Sequence, residues 1–477
     1  MFRQRPPRPD LLASALATVL LCLSFTPSLL PRGWILQGAV SGLCAATGYA
    51  LGCLPRLVLG RRPAGRWAWP VFAALAVPAT VLMAYRGWLW QWEISRAMGA
   101  GGPSAAGWLG VLPLAGLLCA ALVGAAALRR RAAVPLVAVG LAVAGVLVAG
   151  LPPALSTSLD GRVTALAAPA AGTRSGSPAS LVSWDSLGRQ GRAFVTGSSA
   201  VRHGTAPIRV YAGWRTAPDN RSRARLAVAE LRRTGAFDRR VVCLVVPTGS
   251  GWIDEPTVAA LEDELDGDTA VAAVQYAALP SWLALATEPE SAESAAADLI
   301  DEVRRTLVTR PAGQRPRLLL YGHSLGALAA QAPFDTAGGL LGAVDGALIS
   351  GSPPNSPLRT RLRDGSARPA VRFAAGAADL DVAADPVTSP RVLYLEHPTD
   401  PVVRWSPDLV ARRPDWLRRP SGAVRWWPVV TFWQVTGDLL RAQDVPAGYG
   451  HRYGAEARAA WHLLLGAEPP AVLAGSG

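Results

Sequence analysis

Apolar residues come first in long unbroken stretches and later in short runs set between polar, helix-periodic segments. A helix needs about 20 mostly apolar residues to cross a hydrocarbon core. Five stretches before residue 156 reach that length: 11–30, 34–55, 67–90, 106–128 and 132–155. The first follows Arg3, Arg5 and Arg8 as the core of a signal peptide would. No small-residue cleavage site follows it and four more stretches do, so it reads as an anchor. Trp67, Trp69, Trp88, Trp90 and Trp92 edge the third stretch, where amphipathic rings suit the headgroup level. No stretch holds a His or an acid, and Glu93 lies just past one, which argues against a transporter.

Residues 157–206 turn to Ser, Gly, Pro and Ala, a composition that reads as a linker and an approach to the next domain. From residue 207 the period changes again. Ile208 to Ala212, Val241 to Val246, Thr269 to Tyr276, Leu318 to Tyr321, Gly346 to Ile349 and Val392 to Leu395 read as strands. Residues 220–234, 256–265, 288–308 and 455–465 read as helices. Strands buried on both faces and joined by helices predict a doubly wound, mostly parallel sheet. The expected organisation is a multi-pass membrane domain over 1–156, the linker over 157–206, and an α/β-hydrolase domain over 207–470.

Charge changes this picture little. The formal net charge is +13, but the basic residues are all Arg, with no basic stripe interleaved with aromatics and no nucleic-acid-binding motif. The arginines serve better as topology determinants, since they are retained on the cytoplasmic side. Arg3, Arg5 and Arg8, then Arg56, Arg61, Arg62 and Arg66, then Arg129, Arg130 and Arg131 fall in alternate loops, against Arg32, Arg86 and Arg96 in the others. With five spans this puts the N-terminus inside and the later domain outside the cytoplasm, in a multi-pass protein of the cell membrane. Four of five cysteines (Cys22, Cys44, Cys53 and Cys119) lie in the apolar stretches and only Cys243 lies beyond. No disulfide framework, metal site or cofactor is therefore expected.

At the end of the Leu318 to Tyr321 run stands Gly322-His323-Ser324-Leu325-Gly326-Ala327, the G-x-S-x-G pattern of a nucleophile elbow. The glycines two residues either side of Ser324 permit the tight strand-to-helix turn that exposes its hydroxyl. A serine nucleophile needs a base and an orienting acid, in the chain order Ser, acid, His. Of the five histidines, His203 precedes the first strand, His323 is inside the elbow and His462 lies in a helix. His451, in a glycine-flanked loop before the last helix, is favoured over His397, which ends a strand. Asp400, in Asp400-Pro401-Val402-Val403 after the Val392 to Leu395 strand, is favoured over Asp379, Asp381 and Asp385, which read as solvated loop acids. For the oxyanion, Leu325 should give one N–H, and Gly249 or Ser250, in the glycine-rich loop Pro247-Thr248-Gly249-Ser250-Gly251-Trp252, the second. That loop could instead be a turn with no catalytic donor.

That loop, together with Pro280-Ser281-Trp282-Leu283, Ser183-Trp184-Asp185-Ser186-Leu187-Gly188-Arg189-Gln190-Gly191, and Asp400-Pro401-Val402-Val403 with Trp405-Ser406-Pro407-Asp408, resembles the actinobacterial α/β-hydrolase family with an N-terminal multi-pass membrane domain. The resemblance covers nearly the whole chain. It implies an esterase-like or lipase-like domain and carries the triad onto Ser324, Asp400 and His451. The family's elbow often has an acidic residue where His323 stands, so the pocket beside the nucleophile should differ here.

The function expected is hydrolysis or transfer of an acyl ester drawn from lipid or envelope, with the membrane lipid bilayer as partner. The Arg and Trp residues of 404–433 either meet that bilayer or form a lid on the hydrolase core. The competing readings are a non-catalytic membrane binding or signalling protein with a hydrolase-like domain, and thioesterase or peptidase chemistry.

Overall fold

A computed structural model describes residues 10–55, 65–128, 166–201, 204–277, 289–363, 369–381, 389–417 and 424–466. The stretch expected over 132–155 lies outside these residues, as do His203, Asp385 and the Pro280-Ser281-Trp282-Leu283 segment. The chain forms two compact units, one of residues 1–154 with 404–446, the other of 155–403 with 447–477.

The first unit is built on α1 (Leu11–Leu23), α2 (Trp34–Cys53), α3 (Ala68–Ala97) and α4 (Val111–Leu128). Among the described residues, three helices, Trp34–Cys53, Ala68–Ala97 and Ala105–Ala126, are long and apolar enough to cross a membrane. The first expected span is not one of them. Its helix stops after 13 residues, about 20 Å at 1.5 Å per residue, because Pro27 and Pro31 lack the N–H that would continue it. α3 turns Val71, Leu75, Val77, Val81 and Leu82 outward, an apolar surface that suits lipid.

Close approach around α2 depends on glycines spaced four apart on two faces. A Cβ at Gly38 would lie 2.8 Å from Leu114 and one at Gly42 3.0 Å from the Ala115 carbonyl, both on α4. One at Gly48 would lie 2.7 Å from the Leu16 carbonyl, and one at Gly52 would overlap the backbone of Ala13, both on α1. Small residues let helix backbones touch where no hydrophobic effect drives association. Gly52→Val is expected to lower stability by about 1–3 kcal/mol through overpacking, read as a lower midpoint of thermal aggregation in detergent. Gly116→Val, with open space around it, should leave that midpoint in place, and equal midpoints for both variants would contradict the packing account.

The second unit is a seven-stranded sheet in the order β1-β3-β2-β4-β5-β7-β6, parallel throughout. The strands are β1 (Ile208–Ala212), β2 (Val241–Val246), β3 (Thr269–Val274), β4 (Arg317–His323), β5 (Gly346–Ser350), β6 (Val371–Ala374) and β7 (Val392–Leu395). The flanking helices are α5 (Gly188–Thr196), α6 (Asn220–Arg233), α7 (Glu255–Glu264), α8 (Pro289–Val308) and α9 (Leu325–Gln331). Alternate residues feed two cores. Val242, Leu244, Leu318 and Leu320 pack with Ala227 and Leu231 of α6 and Val303 of α8, whereas Cys243, Val245, Leu319 and Tyr321 pack with Phe194, Leu261 and Trp461.

Two segments pack in ways that the sequence pattern does not mark. Part of the 157–206 segment folds on the sheet. The Ser175 N–H donates to the Arg209 carbonyl (3.0 Å), and Arg209 N–H returns a bond to Thr173 (3.2 Å). Val182, Leu187, Phe194 and Val195 anchor this stretch in the core, four apolar residues too scattered to show a period. Residues 404–446, which lie within the run expected over 207–470, group with the apolar helices of the first unit. Their helix, α10 (Val430–Leu439), adds Val430 and Trp433 to a cluster with Leu20, Val40, Leu43, Cys44 and Leu122. The Trp433 indole also donates to Thr47 (3.2 Å).

Candidate active site

β4 delivers Ser324 into the elbow at φ 59° and ψ −126°, a backbone region that residues with a side chain rarely occupy. The surroundings dictate it. A Cβ at Gly322 would lie 2.7 Å from the Ala327 Cα, and one at Gly326 would overlap the Val246 carbonyl. Neither position tolerates a side chain, and Ser324 N–H is fixed by the Ser350 carbonyl at the end of β5 (2.9 Å).

Asp400 sits fully buried beyond the end of β7. Its Oδ1 accepts from Val402 N–H (2.8 Å), while Oδ2 accepts from His451 Nδ1 (2.7 Å) and from the Tyr453 hydroxyl (2.6 Å). The imidazole lies over Gly351, where a Cβ would stand 2.5 Å from His451 Cε1. Gly351 directly follows β5, whose last residue holds the elbow. The ring of His323 lies 4.4 Å from that of His451. With Nδ1 committed to Asp400, His451 Nε2 is buried and has no hydrogen-bond partner among the described residues.

His397 does not contact Asp400 through its ring. Nδ1 meets the Gly450 carbonyl (2.8 Å), Nε2 meets Glu456 (3.1 Å), and the ring stacks on Tyr453 with centroids 4.1 Å apart. It therefore braces the loop that carries His451. His462 pairs with Glu264 on the surface (2.7 Å), and Asp379 caps its own turn through Ala375 N–H (2.6 Å). Asp381 is exposed. His323 is held well below the usual imidazole range by burial first, then by His451 and His397, so it stays neutral beside the candidate base.

The glycine-rich loop abuts the elbow through Trp252, whose ring is 5.3 Å from His323. Gln275 donates to the Ser250 carbonyl (3.1 Å) and Tyr211 to the Gly251 carbonyl (3.0 Å). The turn's own bonds use the N–H groups of Thr248 and Gly251. Those of Gly249 and Ser250 have no main-chain acceptor among the described residues. Leu325 opens α9, where a first-turn N–H has no partner within the helix.

Tyr453 and Glu456 were missed by sequence reasoning. Nothing in a pattern marks a tyrosine two residues past a histidine as a second donor to the acid. Burial first, then Asp400, drives the Tyr453 hydroxyl well above its usual range, so it remains a donor. Tyr453→Phe should cost about 1–3 kcal/mol of turnover or stability through one charge-assisted hydrogen bond, measured as kcat and as melting temperature. A variant unchanged in both would remove Tyr453 from the acid's support.

A parallel, doubly wound sheet with a strained serine between a buried strand and a helix defines an α/β-hydrolase. The model of the alpha/beta-hydrolase family matches residues 208–471, and the model of that family's N-terminus matches 25–149 and 125–198. The chain belongs to the alpha/beta-hydrolase family. No curated protein and no solved structure matches it.

Proposed function

We propose that this is a membrane-anchored serine hydrolase that cleaves or transfers a carboxylic ester through an acyl-enzyme. The observation that carries the reading is His451, with Nδ1 on Asp400 (2.7 Å) and a buried, unpartnered Nε2 beside the elbow. Nε2 takes the Ser324 proton as Oγ attacks the ester carbonyl. The oxyanion is held by Leu325 N–H with that of Gly249 or Ser250. Collapse expels the alcohol, protonated by His451, and leaves Ser324 acylated. Water or a second alcohol then attacks the acyl group by the same relay.

Membrane helices in the same chain, and an Arg- and Trp-rich segment folded with them, support a substrate presented at a lipid or envelope surface. The arginine distribution supports a catalytic unit outside the cytoplasm. A membrane-impermeant fluorophosphonate probe applied to intact cells is expected to label Ser324. Labelling only after lysis would reverse the orientation, and a folded protein that never reacts would end the enzymatic reading.

A further inference from the structure

The apolar unit contains buried polar groups for which ester hydrolysis has no use. On α10, Thr431, Gln434 and Asp438 are each 1% exposed or less. Gln434 Nε2 donates to the carbonyls of Thr26 (2.8 Å) and Ser24 (3.2 Å), in the loop between α1 and α2. Asp438 accepts from the Ser28 hydroxyl and from Leu29 N–H (3.1 Å). It also forms an ion pair with Arg32 (3.7 Å), both side chains being fully buried. Arg32 in turn donates its main-chain N–H to Gln91 of α3 (2.7 Å). Arg32 Nη2 reaches the Thr26 carbonyl (3.3 Å), but Arg32 Nε and Nη1 and Asp438 Oδ1 have no hydrogen-bond partner among the described residues, so on that side the ion pair supplies the compensation.

A buried ion pair adds little net stability, but it specifies one seating, because losing either partner strands the other charge. Apolar packing of Val430 and Trp433 alone would tolerate sliding along α2. We propose that Arg32 and Asp438 form a latch that seats the 404–446 insert in the N-terminal bundle. Through that insert, the latch keeps the acid and imidazole segments in place. This second step rests on the triad proposed above. The insert begins four residues after Asp400 and ends five before His451, so its two ends continue directly into the segments bearing both groups. Arg32 and Asp438 are positioning residues and touch no reacting atom.

The test uses the full chain in native membranes and two readouts. A Cβ at 437 would lie 2.8 Å from Val40 Cγ2, the place a sulfur takes in Val40→Cys, so the two positions are within reach of a disulfide. The pair Val40→Cys with Gly437→Cys should therefore cross-link on oxidation if α10 is seated, and mass spectrometry of the linked peptides reads the yield. Without the added cysteines, the rate of fluorophosphonate labelling at Ser324 reads the triad. Asp438→Leu and Arg32→Met, made singly, should each lower yield and rate by about tenfold or more, and the double variant should recover both to within about threefold. Singles that match the parent, or a double as poor as the singles, would overturn the latch. Cross-link loss with unchanged labelling would overturn its link to the triad. A parent that cross-links while Ser324 never reacts would sink the triad and keep the latch.

Discussion

Ser324→Ala is expected to lower ester turnover by about 10⁴- to 10⁶-fold, the loss seen when a triad nucleophile is removed and only oxyanion binding remains. The fold should survive the change. Ser324 is held by its main chain, through the bond from its N–H to the Ser350 carbonyl (2.9 Å) and by glycines at 322 and 326 that admit no side chain. Its φ of 59° stores strain of about 1–3 kcal/mol for any residue with a Cβ. Ser324→Gly should therefore be equally inactive and yet melt at a higher temperature than Ser324→Ala. Turnover of a chromogenic ester by the purified full chain, with thermal melts of both variants, decides the matter. A residual rate within tenfold of the parent would mean that another group is the nucleophile.

The elbow was legible because chemistry and backbone constrain the same residues. β4 and its neighbours are buried on both faces and read as continuous apolar runs. β6 was not foreseen. Val371–Ala374 is an edge strand with half-buried Arg372 and Phe373, and a short mixed segment carries no period. The packing of the insert was illegible for a different physical reason. In α10, Thr431, Gln434 and Asp438 recur at helical spacing, a pattern that a solvated stripe would share, with Val430 and Trp433 as the apolar side. Both sides are buried, because the stripe meets the loop carbonyls and N–H groups that follow α1 when Pro27 and Pro31 end it. A polar helix face is ambiguous from sequence, since it records hydrogen-bonding partners and not whether those partners are water. Asp400 and His451 are legible as candidates because the fold prescribes an order of serine, acid and histidine, and the structure pairs them at 2.7 Å. The roles of His397, Tyr453 and Glu456 follow only from packing between segments more than 50 residues apart.

Asp400→Asn should lower kcat by about 10⁴-fold, with KM changed far less. The reason lies in the three bonds that the carboxylate accepts: Val402 N–H on Oδ1, and both His451 Nδ1 and the Tyr453 hydroxyl on Oδ2. An amide can accept on one side only. If its oxygen keeps Val402, its NH₂ faces two donors, and His451 relieves the conflict by moving its proton to Nε2, the atom that must be empty to accept from Ser324. If the amide turns over, Val402 N–H loses its acceptor in a buried site, a penalty of about 1–3 kcal/mol. Either way the negative charge that stabilises the imidazolium is gone. Because the Asn side chain has the same shape, the melting temperature should fall by only a few degrees, and fluorophosphonate labelling should slow in step with kcat. A variant that keeps kcat within tenfold would show that Asp400 is a structural acid and that the charge supporting His451 comes from elsewhere. Asp254 is the group to examine next: burial raises its pKa, while hydrogen bonds from Thr257 first, then His451 and Tyr321, act to lower it.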